Sequence, residues 1–295
     1  MSIQPWNLKV AIALISSVAI QIDSSIGAEV PTESVQLAQL AQLAPMKIAQ
    51  KSGGNVRLVR RTLQGPPPGG RYRGGGTNRN TPKPGEPIVC PKAEPALTAL
   101  VPFEEQARPG KPPKVNVWGY TTAAHPTLWF YTPYTKTQSI PADLTVVEDS
   151  GSFAIVIPPI PVQLPNKPGI IAVRIPPSAP ALEIGKRYRW ALTLNCASST
   201  TASDKIQVEG VIVREAPTAA ATAELATAKG IQKAAIYAGN GFWHDALDIL
   251  AELRQKNIAD PTLKSDWQSL LESMMLSGSS KEFKPEEIID QPFAN

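Results

Sequence analysis

Four aromatic side chains on two nearby stretches are the residues of this chain best placed to do chemistry. In Val115–Thr122, Val115 and Val117 face one way while Trp118 and Tyr120 face the other; in Thr127–Tyr131, Leu128 and Phe130 oppose Trp129 and Tyr131. A strand with apolar bulk on both faces needs a cover for its outer face, or it presents a binding surface. If Trp118, Tyr120, Trp129 and Tyr131 share that face, they make a platform against which sugar rings stack. The competing reading is that C-terminal helices carrying Trp243 and Trp267 lie over the rings, since buried aromatics mostly serve packing.

Catalytic signals are sparse. The only histidines are His125 and His244, far apart in the chain, and His125 precedes Pro126 at a strand start, where a turn role suffices. No G-x-S-x-G elbow, H-E-x-x-H helix, P-loop or dinucleotide fingerprint occurs. Glu104-Glu105 and Glu148-Asp149 are adjacent carboxylates in expected loops, the usual pattern of a solvated surface. Cys90 and Cys196 open the β region and close its central strand, a placement that suits one disulfide in an oxidising compartment; two buried thiols are the alternative. No metal set and no cofactor are implied.

The element that must position these residues is Leu182–Cys196. A turn at Gly185 leads into a strand with Tyr188, Trp190, Leu192 and Leu194 on one face and Arg187, Arg189, Thr193 and Asn195 on the other. That two-residue period defines a half-buried strand. Leu182-x-x-Gly185-x-x-Tyr188 resembles the tyrosine corner of immunoglobulin-like sandwiches. Further short strands are expected at 97–101, 115–122, 127–131, 144–147, 153–157, 170–175 and 205–213, punctuated by prolines that lack the ladder N–H. Residues 89–215 therefore read as an immunoglobulin-like antiparallel β-sandwich, and the chain as mainly β with a helical C-terminal module.

At about Ala216 the period switches to 3.6. Leu225, Ala228, Ile231, Ala235 and Ala238 line a first helix, and a second runs from about Phe242 to Gln255. Asp260-Pro261 supplies an N-cap and a helix-start proline for a third. Residues 216–277 thus form a tetratricopeptide-like hairpin plus a third helix: GFWHDALDILAEL is similar to one such repeat, and stacks of fewer than about three repeats must lean on something else. Residues 278–295 read as a loose tail.

The chain's start reads as export. Residues 1–28 have the form of a signal peptide: Lys9, the apolar run Val10–Ile22, then Ser25, Gly27 and Ala28. Residues 29–88 read as a disordered basic linker, for in Gly65–Pro87 13 of 23 residues are Gly or Pro, and the net charge from Met46 to Val89 is +8. The high pI belongs to that linker, which reads as a solvated spacer or as an arm that touches anionic surfaces. Export argues against nucleic acid as its partner.

Taken together, LTALVP (Leu97–Pro102), TTAAHPTLWFYTPY (Thr121–Tyr134), LEIGKRYRWALTLNC, VEGVIVR (Val208–Arg214) and GFWHDALDILAEL resemble the cyanobacterial family called domain of unknown function 928, over about residues 65–275. The resemblance implies an exported envelope protein with the same β-then-helical layout, and brings no activity, cofactor or catalytic residue. His244 stands where the family more often has an aromatic. The expectation is a non-catalytic interaction or structural module whose partner is an envelope protein or wall polysaccharide. The alternatives are a carbohydrate-binding module and an unrecognised hydrolase.

Overall fold

The computed structural model describes residues 56–76, 92–151, 155–196, 205–277 and 284–294. Within them the strands are β1 (Arg71–Gly76), β2 (Thr98–Ala99), β3 (Phe103–Arg108), β4 (Lys111–Thr121), β5 (Thr127–Thr132), β6 (Ala142–Glu148), β7 (Ile155–Pro161), β8 (Gly169–Arg174), β9 (Arg187–Asn195), β10 (Lys205–Arg214) and β11 (Met275–Ser277). The helices are α1 (Ala219–Thr227), α2 (Ile231–Gly239), α3 (Trp243–Lys256), α4 (Pro261–Glu272) and the single turn α5 (Glu286–Ile289).

β9 alternates as its residues require. Tyr188, Trp190, Leu192 and Leu194 are buried in the core, and Arg187, Arg189, Thr193 and Asn195 are half-buried on the other face. Its register is antiparallel to β6 on one side and to β10 on the other, so it is an interior strand. The Tyr188 hydroxyl accepts the Glu183 N–H at 2.9 Å, tying the turn at Gly185 (φ +82°) to the strand.

β10 is the branch point. One edge pairs with β9 along its length; the other pairs with β1 near its start and with β4, in parallel, near its end. From there the sheet continues one way as β4–β3–β11 and the other as β1–β2–β5–β8. The result is one mainly antiparallel sheet of 11 strands curled into a half-barrel, with a few C-terminal helices. Its inner face joins the helices in a single core in which Phe130 meets Trp190 edge-on at 5.7 Å and Trp243 donates its indole N–H to the Leu100 carbonyl at 2.9 Å.

The sheet edges are managed. At the β7 edge Ile155 is 71% exposed, and Pro158, Pro159 and Pro161 remove the N–H groups that would recruit another strand. The β8 edge is occupied by the chain's own end: the Ile170 N–H donates to the Pro292 carbonyl at 2.7 Å and Ala294 N–H to the Ile170 carbonyl at 2.8 Å.

Three expectations are corrected. Residues 284–294 are no loose tail: Ile288 and Ile289 are buried and the Phe293 ring packs against Trp129 and Trp267. The first helix is two, because Ala228 is extended and Gly230 takes φ +50°, which breaks the hydrogen-bond ladder although the apolar period runs across it. Third, residues 56–76 of the supposed linker are folded onto the domain. Their backbone is irregular as far as Gly70, with a bend at Gly65–Pro66, then enters the sheet as β1. The rest of residues 29–88, and residues 1–28, lie outside the described residues.

Candidate functional site

Along β4 the side chains of Asn116, Trp118 and Tyr120 point to one face and those of Val117 and Thr121 to the other, where Gly119 leaves room for the His244 ring. Both faces are covered. Over the first runs the segment 56–70, a strap. Trp118 and Tyr120 cluster there with Val211, Val213 and Phe242, with Leu63 and Leu276 packed against them. The Tyr120 hydroxyl donates to the Thr62 carbonyl at 3.1 Å, and Arg61 lies 3.9 Å over the Tyr120 ring while pairing with Glu215. Burial raises the Tyr120 pKa against the opposing pull of Arg61.

The strap is anchored along its whole length. At its start the Val56 N–H donates to Asp266 at 3.4 Å, Leu58 N–H to the Ser273 hydroxyl at 3.2 Å and Val59 N–H to the Ala238 carbonyl at 2.9 Å. Farther on, Arg187 donates to the Gln64 carbonyl at 2.9 Å and the Pro66 carbonyl at 3.3 Å, and Arg189 to the Pro68 carbonyl at 2.8 Å. Asp149 pairs with both guanidinium groups, at 2.8 and 3.2 Å. Asn116 then accepts the Gly69 N–H at 3.1 Å while Val117 N–H donates to the Gly69 carbonyl at 2.9 Å. The alternate carbonyls of Gln64, Pro66 and Pro68 thus meet two arginines spaced one strand period apart on the polar face of β9.

The other two rings lie elsewhere. β5 is separated from β4 by β10, β1 and β2 in the sheet path, so Trp129 and Tyr131 form no continuous surface with Trp118 and Tyr120. Trp129 donates its indole N–H to Asp248 on α3 at 3.1 Å and meets Phe293 edge-on at 5.9 Å. Tyr131 is buried, and its pKa is raised by burial and by Glu287. All four rings are 3–6% exposed. The Trp118–Tyr120 pair is covered chiefly by the strap, and Trp129 by α3 and the chain's end.

The opposite face of β4 forms a seam with α3. Asp245, in the first turn of that helix, accepts both the N–H (3.0 Å) and the hydroxyl of Thr122. A carboxylate at this position also suits the helix dipole. Burial raises its pKa, against those hydrogen bonds. Asp248, one turn on, is raised by burial and drawn back by Arg174, 3.4 Å away. The His244 ring, 2% exposed, faces Gly119 with neither nitrogen hydrogen-bonded. Burial brings its pKa from 6.5 down to about 3.

The family model described as Domain of Unknown Function (DUF928) matches residues 73–283, most of the chain. The protein belongs to this family. No curated protein and no solved structure matches the chain. In this DUF928 member the matched span takes in most of the sheet and α1–α4, and the strap lies just ahead of it.

A pH profile tests the His244 seam. The native state excludes a proton that the unfolded chain takes up below pH 6.5, so His244 costs stability as pH falls from 6.5 towards 3. Asp245 and Asp248, with raised pKa values, act oppositely, since their native forms hold protons that the unfolded chain has released. The difference between wild type and His244→Leu isolates the imidazole. That difference is expected to change by about 1.4 kcal/mol per pH unit across the window. A flat difference in urea-unfolding free energy would show that the ring is hydrated.

The remaining sequence candidates have structural partners. His125 Nε2 lies 2.9 Å from the Ala179 carbonyl, pinning a loop. Glu104 pairs with Arg60 at 3.8 Å, Glu105 accepts from the Tyr72 hydroxyl at 2.8 Å, and Glu148 faces Lys186 at 3.8 Å. Among the described residues no group of His, Cys, Asp and Glu is arranged to hold a metal. Cys196 is half-buried just past β9, and Cys90 lies outside the described residues. Sequence reading missed the strap and its clasp. The available signal was the pair of arginines on one face of β9, which required acceptors.

Proposed function

We propose that this protein is a non-catalytic interaction or structural module of the cell envelope, exported by its N-terminal apolar run. One observation carries the reading. His244, Asp245 and Asp248, whose pKa values burial shifts, are used to seat α3 on the sheet, against Gly119 of β4, Thr122 just past it, Trp129 of β5 and Arg174 of β8. Such groups mark active sites when they converge on a cleft. Here His244 faces the backbone of Gly119, Asp245 is taken up by Thr122, and Asp248 by the Trp129 indole and Arg174. The carbohydrate-binding alternative would require the strap to lift from Trp118 and Tyr120.

The finer kinship belongs to the same proposal. The Tyr188 corner contact supports a relation to immunoglobulin-like sandwiches, and the α2–α3 hairpin with its tight Asn240–Phe242 turn supports one to tetratricopeptide repeats.

Cell fractionation tests the proposal. The full chain is expected in the periplasmic or envelope fraction, and a chain lacking residues 1–28 in the cytosol. Exported protein is expected to carry a Cys90–Cys196 bridge, read as an intact mass two protons lighter before reduction than after. Retention of the full chain in the cytosol with both thiols alkylatable would sink the reading.

A further inference from the structure

Beyond Glu105 and Val115 the β3–β4 hairpin leaves the body of the sheet. β10 flanks β4 only from Trp118 to Thr121, and β11 meets β3 only at Phe103 and Glu104. The outer residues pair with each other alone. Every residue from Gln106 to Lys114 is exposed, a finger about 13 Å long at the usual rise of an extended strand. A lone two-stranded ribbon is marginal in water, so the finger contributes little to the fold.

Its own chemistry holds its shape. Gly110 takes φ +66° at the tip, and Arg108 donates to the Pro112 carbonyl from Nε at 2.9 Å and from Nη2 at 2.7 Å. Pro112 and Pro113 stiffen the returning arm and deprive it of ladder N–H groups, which blocks strand addition. Between Gln106 and Lys114 stand Arg108, Lys111 and Lys114 and no acid. The acids at the base, Glu104 and Glu105, are engaged by Arg60 and the Tyr72 hydroxyl, and no ion pair among the described residues reaches the three cations.

We propose that this finger is a docking surface for anionic lipid headgroups. It is convex, so it encloses no small molecule, but it can lie against a flat charged surface. The tip has no aromatic ring to stack on a sugar. Lysine ammonium groups act as compact point charges towards phosphate. Each basic residue near an anionic bilayer contributes about 1 kcal/mol, so three raise partitioning on the order of 100-fold. The envelope reading supplies only the place where such a surface is met. Failure of one does not touch the other, since lipid binding is measured on purified protein and export in cells.

The test is co-sedimentation of the full chain with phosphatidylcholine vesicles, with and without phosphatidylglycerol. Wild type is compared with the triple variant Arg108→Gln, Lys111→Gln, Lys114→Gln and with Arg108→Lys. The triple variant is expected to lose on the order of 100-fold in partitioning onto the anionic vesicles only, with unchanged circular dichroism. Arg108→Lys is expected to keep binding, and high salt to erase the difference. Equal partitioning of wild type and triple variant would overturn the proposal. So would a loss confined to a soluble sulfated polysaccharide with vesicle binding unaltered, which would assign the finger to a polymer.

Discussion

A chain that begins at Arg71 is expected to unfold at much lower denaturant than one that begins at Lys51, with a loss of about 4–6 kcal/mol. Burial of Val56 contributes about 1.5 kcal/mol, partial burial of Leu58 and Leu63 adds to it, and the Arg61–Tyr120 stack about 1 kcal/mol. Arg187 and Arg189 would then lose carbonyl acceptors over a half-buried seam, at about 1–3 kcal/mol. Trp118, 6% exposed beneath the strap, would become accessible to quenchers of its fluorescence. Gly241 shows how closely the strap is laid down: a Cβ there would overlap the Arg61 methylenes. Equal midpoints for the two chains would mean that residues 56–70 rest on the domain without stabilising it. Truncations meant to leave the domain's stability intact are therefore expected to have to stop before Val56.

Replacing Gly119 by alanine is expected to cost about 2–3 kcal/mol, a large effect for one methyl group. The backbone at Gly119 needs no special conformation, so the cost is steric. The new Cβ would stand 2.6 Å from His244 Nε2 and 3.0 Å from its Cδ2. The imidazole is locked between β4 and the first turn of α3, which Asp245 holds to Thr122 and Trp243 to Leu100. His244→Ala opens the space, so the double variant is expected to be more stable than the sum of the single losses by at least about 1 kcal/mol. Additive losses in a urea double-mutant cycle would place the strain elsewhere. The ring is an unusual filling for this seam: as a neutral, unbonded imidazole it carries the cost of an unpaired buried polar group that the expected aromatic would lack.

Elements whose order is local were legible in the chain itself. The alternation of Tyr188, Trp190, Leu192 and Leu194 announced a half-buried interior strand. Asp260-Pro261 announced a helix start, and Asp260 does accept the Thr262 and Leu263 N–H groups at 2.8 and 3.3 Å. The switch of period near Ala216 separated sheet from helices. In each case neighbours in sequence decide the conformation, through side-chain period or a cap bonded within a turn. The strap, the finger and the closing segment 284–294 carry no such mark. A proline-rich run makes no internal hydrogen bonds, so whether it is ordered depends on whether distant acceptors and donors receive it. Arg187 and Arg189 receive it here from more than a hundred residues away. The same holds for the four aromatic rings: their alternation showed that something must meet both faces of β4 and β5, but only the tertiary structure decided that the chain itself does so.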